Sequence, residues 1–130
     1  MTSSEQAGSM LLRLRTFISA LDSVLLSFLN LRKLERLTLT EIDDLETKAL
    51  EARLTAVLLV EEAKQKLGME ICHPAREEEE LANMLAIAAA RPQMNLDPAE
   101  IKAYFTRIFQ ESREAQKTQR RAAAQAADEA

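Results

Sequence analysis

The placement of chain breakers constrains this sequence more than any other feature. Between Gly8 and Gly68 there is neither glycine nor proline, and all three prolines, Pro74, Pro92 and Pro98, follow in a short stretch. Those two residue types end or bend helices, so the chain reads as long unbroken segments joined at few points. Alanine, leucine, glutamate and arginine fill the segments, and all four are strong helix formers. The expected fold is all-α, a bundle of three to four helices. At 130 residues it is expected to be one domain with a real core.

Apolar spacing places the helices. Residues 1–9 are polar and read as a disordered N-terminus. From Met10, the residues Leu11, Leu14, Ile18, Leu21, Leu25 and Phe28 recur three and four apart, one stripe of an amphipathic helix. Near Leu37 the first long helix reads as split into a hairpin. Arg32, Lys33 and Arg36 suit a helix end, and Glu41, Asp43 and Asp44 suit a helix start. Thr38 with Glu41 has the pattern of a capping box, and Leu37 with Ile42 that of a hydrophobic staple. No Gly, Pro or Asn stands there, so one straight helix from Met10 to Leu67 is the alternative. A segment over 39–67 ends at Gly68, a natural residue just past a helix. Pro74 suits the first position of a third helix, with His73 as its cap, running to about Ala90. Asp97-Pro98-Ala99-Glu100 is a strong start signal for a fourth, with Ile101, Phe105, Ile108 and Phe109 on its apolar face. The folded domain is therefore expected over 10–120, with 121–130 as an Ala-rich flexible tail.

Several function classes are disfavoured. The net charge of −4 offers no general basic surface for nucleic acid. Arg13, Arg15 and Asp22 interrupt the pattern of a signal peptide, and no segment approaches the roughly 20 consecutive apolar residues of a membrane span. The single cysteine, Cys72, fits a reducing, cytoplasmic setting. Adjacent Cys72 and His73 make a poor metal site, and no cofactor fingerprint is present.

The candidate functional residues are polar groups sharing helix faces. Arg53 and Lys64 are eleven apart, about three turns, and so share a face. Ser112 and Gln116, four apart, do the same. Arg76 and Glu77 open the third helix, where backbone N–H groups are unpaired. Arg15 sits among leucines on the first. Taken singly, each has an ordinary explanation. Long basic side chains snorkel from apolar stripes, and acidic first turns suit the helix dipole.

As an ordered set they are more specific. Leu12-Arg-Leu-Arg-Thr-Phe-Ile-Ser-Ala-Leu-Asp22 followed by Leu25-Leu26 resembles the opening of the all-helical chorismate mutases. Arg53 with Lys64 eleven residues later resembles the same family. So does Ile71-Cys-His-Pro-Ala-Arg-Glu77, where the family has Asp-Pro before Arg-Glu. Leu96-Asp-Pro98 and Phe105-Thr-Arg-Ile-Phe-Gln-Glu-Ser-Arg-Glu-Ala-Gln116 resemble its last helix.

The resemblance implies a small-molecule enzyme of aromatic amino acid biosynthesis, in the shikimate pathway, that rearranges chorismate to prephenate without metal or cofactor. It implies that Arg15 and Arg53 hold the two carboxylates of chorismate. Lys64 would contact a carboxylate and the ether oxygen, and Gln116 would donate to that oxygen from the other side. Glu77 would take the ring hydroxyl, with Arg76 supporting that end, and Ser112 would touch a carboxylate.

Two departures stand out. His73 replaces the usual Asp and is a poorer cap. The family's spacing from first to second arginine is matched by Arg32, and its spacing to the lysine by Arg53, 21 residues on. Arg53 is favoured because one helix fixes it relative to Lys64. The family's usual dimer pairs two long first helices antiparallel and exchanges an arginine. Here a homodimer and a hairpin monomer are both open, and both put Arg15 near Lys64. Pyruvate elimination from isochorismate and a non-catalytic helical interaction protein are the alternative functions.

Overall fold

The computed structural model describes residues 2–34, 39–71 and 73–129. They form an all-α fold: α1 (Ser3–Leu34), α2 (Leu39–Lys66), α3 (Pro74–Ala89), a 3-10 turn (Pro92–Met94) and α4 (Pro98–Glu129). Leu37 and Thr38, expected to staple and cap the second helix, lie outside the described residues, as does Cys72.

α1 folds back antiparallel on α2 of its own chain, so the straight-helix alternative is set aside. Three contacts fix the register. Near the bend Arg32 bonds Asp43 at 2.8 Å and Glu46 at 2.5 Å. Midway Asp22 meets Arg53. At the open end Ala7 and Leu11 pack with Val60 and Ala63. α3 and α4 close over one side of this hairpin. The main core joins Leu25, Leu26 and Phe28 of α1 to Ile42 of α2, Met84 of α3 and Ile101, Phe105, Ile108 and Phe109 of α4. Each such side chain contributes about 1.5–3 kcal/mol by leaving water. The expected apolar faces of α1 and α4 are the ones buried.

α1 starts earlier than its polar sequence suggested. Thr2 and Glu5 form a reciprocal capping box. The Glu5 N–H donates to Thr2 Oγ1 at 3.1 Å and the Thr2 N–H to Glu5 Oε2 at 3.4 Å. Burial of Ala7 then anchors the first two turns, so residues 3–9 are helical where disorder was expected. α4 likewise continues to Glu129, its exposed last turns rich in alanine, the best helix former. The membrane expectation needs correction too. By length and composition alone Ser3–Arg32 suffices to cross a bilayer. In this fold its inner face carries the fully buried Asp22 and packs against α2 and α3.

Two turns aim the later helices. Gly68 has φ +67°, the left-handed conformation that favours glycine. The Met69 N–H bonds the Lys64 carbonyl at 2.9 Å and the Gly68 N–H that of Gln65 at 3.2 Å, a Schellman motif ending α2. Pro74 opens α3, and Asp97 caps α4 by accepting from the Ala99 N–H at 2.9 Å.

Candidate active site

The hairpin, the turn after Gly68, α3 and α4 surround one cleft, and all eight residues singled out from the sequence line it: Arg15, Arg53, Lys64, His73, Arg76, Glu77, Ser112 and Gln116. Counting the solvent in its open mouth, the space between these side chains is about 660 Å³. Ile18, Val57, Val60 and Phe109 supply apolar wall between the polar groups.

α2 contributes the two deepest cations. Arg53 is 5% exposed and Lys64 6%. The Arg53 guanidinium donates from Nε to Asp22 Oδ1 at 2.6 Å, from Nη2 to Asp22 Oδ2 at 3.5 Å, and from Nη1 to Ser112 Oγ at 2.6 Å. Its carbon lies 5.8 Å from the centre of the Phe109 ring, a cation–π distance. Ser112 donates its own O–H to the Ile108 carbonyl at 2.9 Å while accepting from Arg53, so here it orients Arg53. The Lys64 ammonium donates to the Ile71 carbonyl at 2.9 Å across the Schellman turn. Gln116, buried on α4, offers its amide toward the Val57 carbonyl at 3.5 Å. That contact is long enough for a better acceptor to replace.

The rim is a second charged layer. Glu77 binds Arg113 through both carboxylate oxygens, with Oε2 at 2.6 Å from Nη1. Arg76 pairs with Glu79 at 3.4 Å. Arg15 is half-buried and makes no hydrogen bond among the described residues. Burial, and then the neighbouring Arg76, lower its pKa, with Glu79 opposing. A cation so placed favours an incoming anion. His73 stands at the cap position of α3 without a side-chain capping bond, and its buried Nε2 has no partner among the described residues. The poor cap expected from its replacement of Asp is what is found. Arg32 lies outside the cleft, tied to Asp43 and Glu46, so Arg53 occupies the position beside Lys64.

Three residues of the site were missed from the sequence. Asp22 is fully buried beneath Arg53, Glu80 lines the floor, and Arg113 clamps Glu77. Asp22 had a readable signal, since a charge on the buried stripe of a helix is rare without a partner. Its carboxyl is pushed up to about 6, chiefly by burial, with Arg53 opposing and Glu80 adding to the rise.

A search of curated proteins found no match, nor did a search of solved structures. The family model described as chorismate mutase type II matches residues 36–117, more than half of the chain. The matched span holds α2, α3 and the part of α4 that lines the cleft, whereas α1, with Arg15 and Asp22, precedes it. The chain belongs to the chorismate mutase type II family.

Proposed function

We propose that the cleft binds chorismate and rearranges it to prephenate. The observation that carries this reading is the convergence of Arg15, Arg53, Lys64 and the Gln116 amide, from three helices, on one apolar-walled cleft. The reaction breaks one C–O bond and forms one C–C bond within a single dianion, so it needs no nucleophile and no proton transfer. Arg53 and Arg15 bind the two carboxylates, Arg53 through a planar fork already oriented by Asp22 and Ser112. Holding the flexible ligand in a compact chair-like shape removes entropy from the barrier. As the C–O bond breaks, negative charge grows on the ether oxygen. Lys64 and Gln116 donate to that oxygen, each contributing roughly 3–4 kcal/mol if well placed. Glu77, held by Arg113, accepts the ring hydroxyl, and Arg76 supports that end. His73 flanks the same end in place of the usual acid. The substrate is the sole partner this reading requires, in a cytoplasmic setting.

The test is a chorismate-disappearance assay with product identification. Prephenate formation supports the proposal. Release of pyruvate from isochorismate instead would keep the pocket and change the reaction. A purified chain that neither consumes chorismate nor binds a bicyclic diacid shaped like the transition state refutes it and favours a non-catalytic interaction protein.

A further inference from the structure

We infer that Asp22, on the helix that precedes the family match, is a positioning residue: it holds the Arg53 guanidinium in the orientation that receives a substrate carboxylate. The inference rests on the proposed reading of the cleft. Its observations are geometric. Asp22 is wholly buried, and both of its oxygens face Arg53, at 2.6 and 3.5 Å. With Nε and Nη2 on Asp22 and Nη1 on Ser112, three of the five N–H groups of an arginine are engaged. One N–H on each Nη remains for a ligand carboxylate. An arginine so held has surrendered its rotamer freedom before the ligand arrives, so binding does not bear that cost.

The surroundings of Asp22 make the effect pH-dependent. Arg53 faces it from α2. Glu80 faces it from α3 and accepts from Ser19 of α1 at 3.1 Å. From α4 Tyr104 feels its charge while donating to Glu46 of α2 at 2.8 Å. With the Asp22 carboxyl raised to about 6 by burial, acidification below that value neutralises it and loosens Arg53. The carboxylates of a free diacid stay ionised down to about pH 4. The KM should therefore rise on the acid side of pH 6 with kcat little changed, because the fork binds ground state and transition state alike.

Asp22→Asn tests this, since it keeps shape and one acceptor and removes charge and titration. Expected for the folded variant is a KM for chorismate raised about 10–100-fold at pH 7.5, the size of an ordering or misplacement effect. Its KM should be flat from pH 5 to 8, with kcat within a few-fold of wild type. The Arg53 Nε–H resonance should be sharp and slowly exchanging in the wild type at pH 7.5 and should broaden in the variant. A partner serving stability alone would lower the unfolding midpoint and leave KM and its pH profile untouched, which would overturn the inference. Should Asp22→Asn fail to fold, the wild-type profile decides, and a KM with no rise between pH 7 and 5 overturns it. Absence of turnover in the wild type, with bicyclic-diacid binding that weakens 10–100-fold in Asp22→Asn, sinks the mutase assignment and supports the positioning role.

Discussion

Arg53→Met should cost stability in a pH-dependent way. The substitution keeps most of the apolar stem and removes the only cation bonded to Asp22 among the described residues. Stripping one partner from a buried ion pair costs about 3–5 kcal/mol, a large share of the roughly 5–15 kcal/mol that holds a domain together. The sign with pH follows from Asp22. Its folded pKa of about 6 lies above the ordinary 3.8. Its stabilising contribution is therefore complete below about pH 4 and gone above about pH 6. Removing Arg53 removes the influence that held that pKa down, so it climbs further. At pH 5 Asp22 is largely protonated with or without Arg53, and the penalty is small. Between pH 6 and 8 the variant must bury an unpaired carboxylate or take up a proton, and the penalty opens to its full size. Urea unfolding followed by circular dichroism at pH 5.0 and 7.5 reads this directly. Adding Asp22→Leu to Arg53→Met should recover most of the stability while substrate binding stays lost. A penalty under about 1 kcal/mol at pH 7.5, or one equal at both pH values, would refute the reasoning.

Three further outcomes concern the chemistry. Lys64→Ala should lower kcat by roughly 10²–10³-fold, the effect of losing one donor at a developing oxyanion; near-normal turnover would remove Lys64 from the mechanism. Gln116→Glu should place an ionised carboxylate against the ether oxygen, giving a variant whose activity grows as pH falls and the new group protonates, and a flat profile would contradict the donor role. Arg32→Ala should leave chorismate kinetics within about twofold and change only stability, by the roughly 0–1 kcal/mol of an exposed ion pair, measured by urea unfolding.

Much of the site was legible because its determinants are local. Gly68 and Pro74 announce where α2 stops and α3 starts, and the eleven-residue interval from Arg53 to Lys64 fixes a shared face once both lie on one helix. Asp97 and Pro98 mark the start of α4, and from there Ser112 and Gln116 follow by periodicity. The pairing of Asp22 with Arg53 was not legible in this way. The two are 31 residues apart, on different helices, and meet only through a hairpin register set by side-chain packing along the pair. Glu80 and Arg113 were hidden for a simpler reason. Each lies in a charged run, where solvation is the ordinary role, and only the approach of another helix selects one member for the cleft. The N-terminal extension of α1 was missed because Thr2 and Glu5 cap a helix whose anchor, Ala7, is too small to register as a core residue from sequence.

The hairpin has a consequence for how the site responds to dilution. Arg15 and Lys64 are tied by a single polypeptide, so each meets the other at an effective concentration in the millimolar range however little protein is present. An arginine borrowed across two chains would be surrendered as the chains part. One carried on a folded-back helix stays with its site for as long as that helix remains docked.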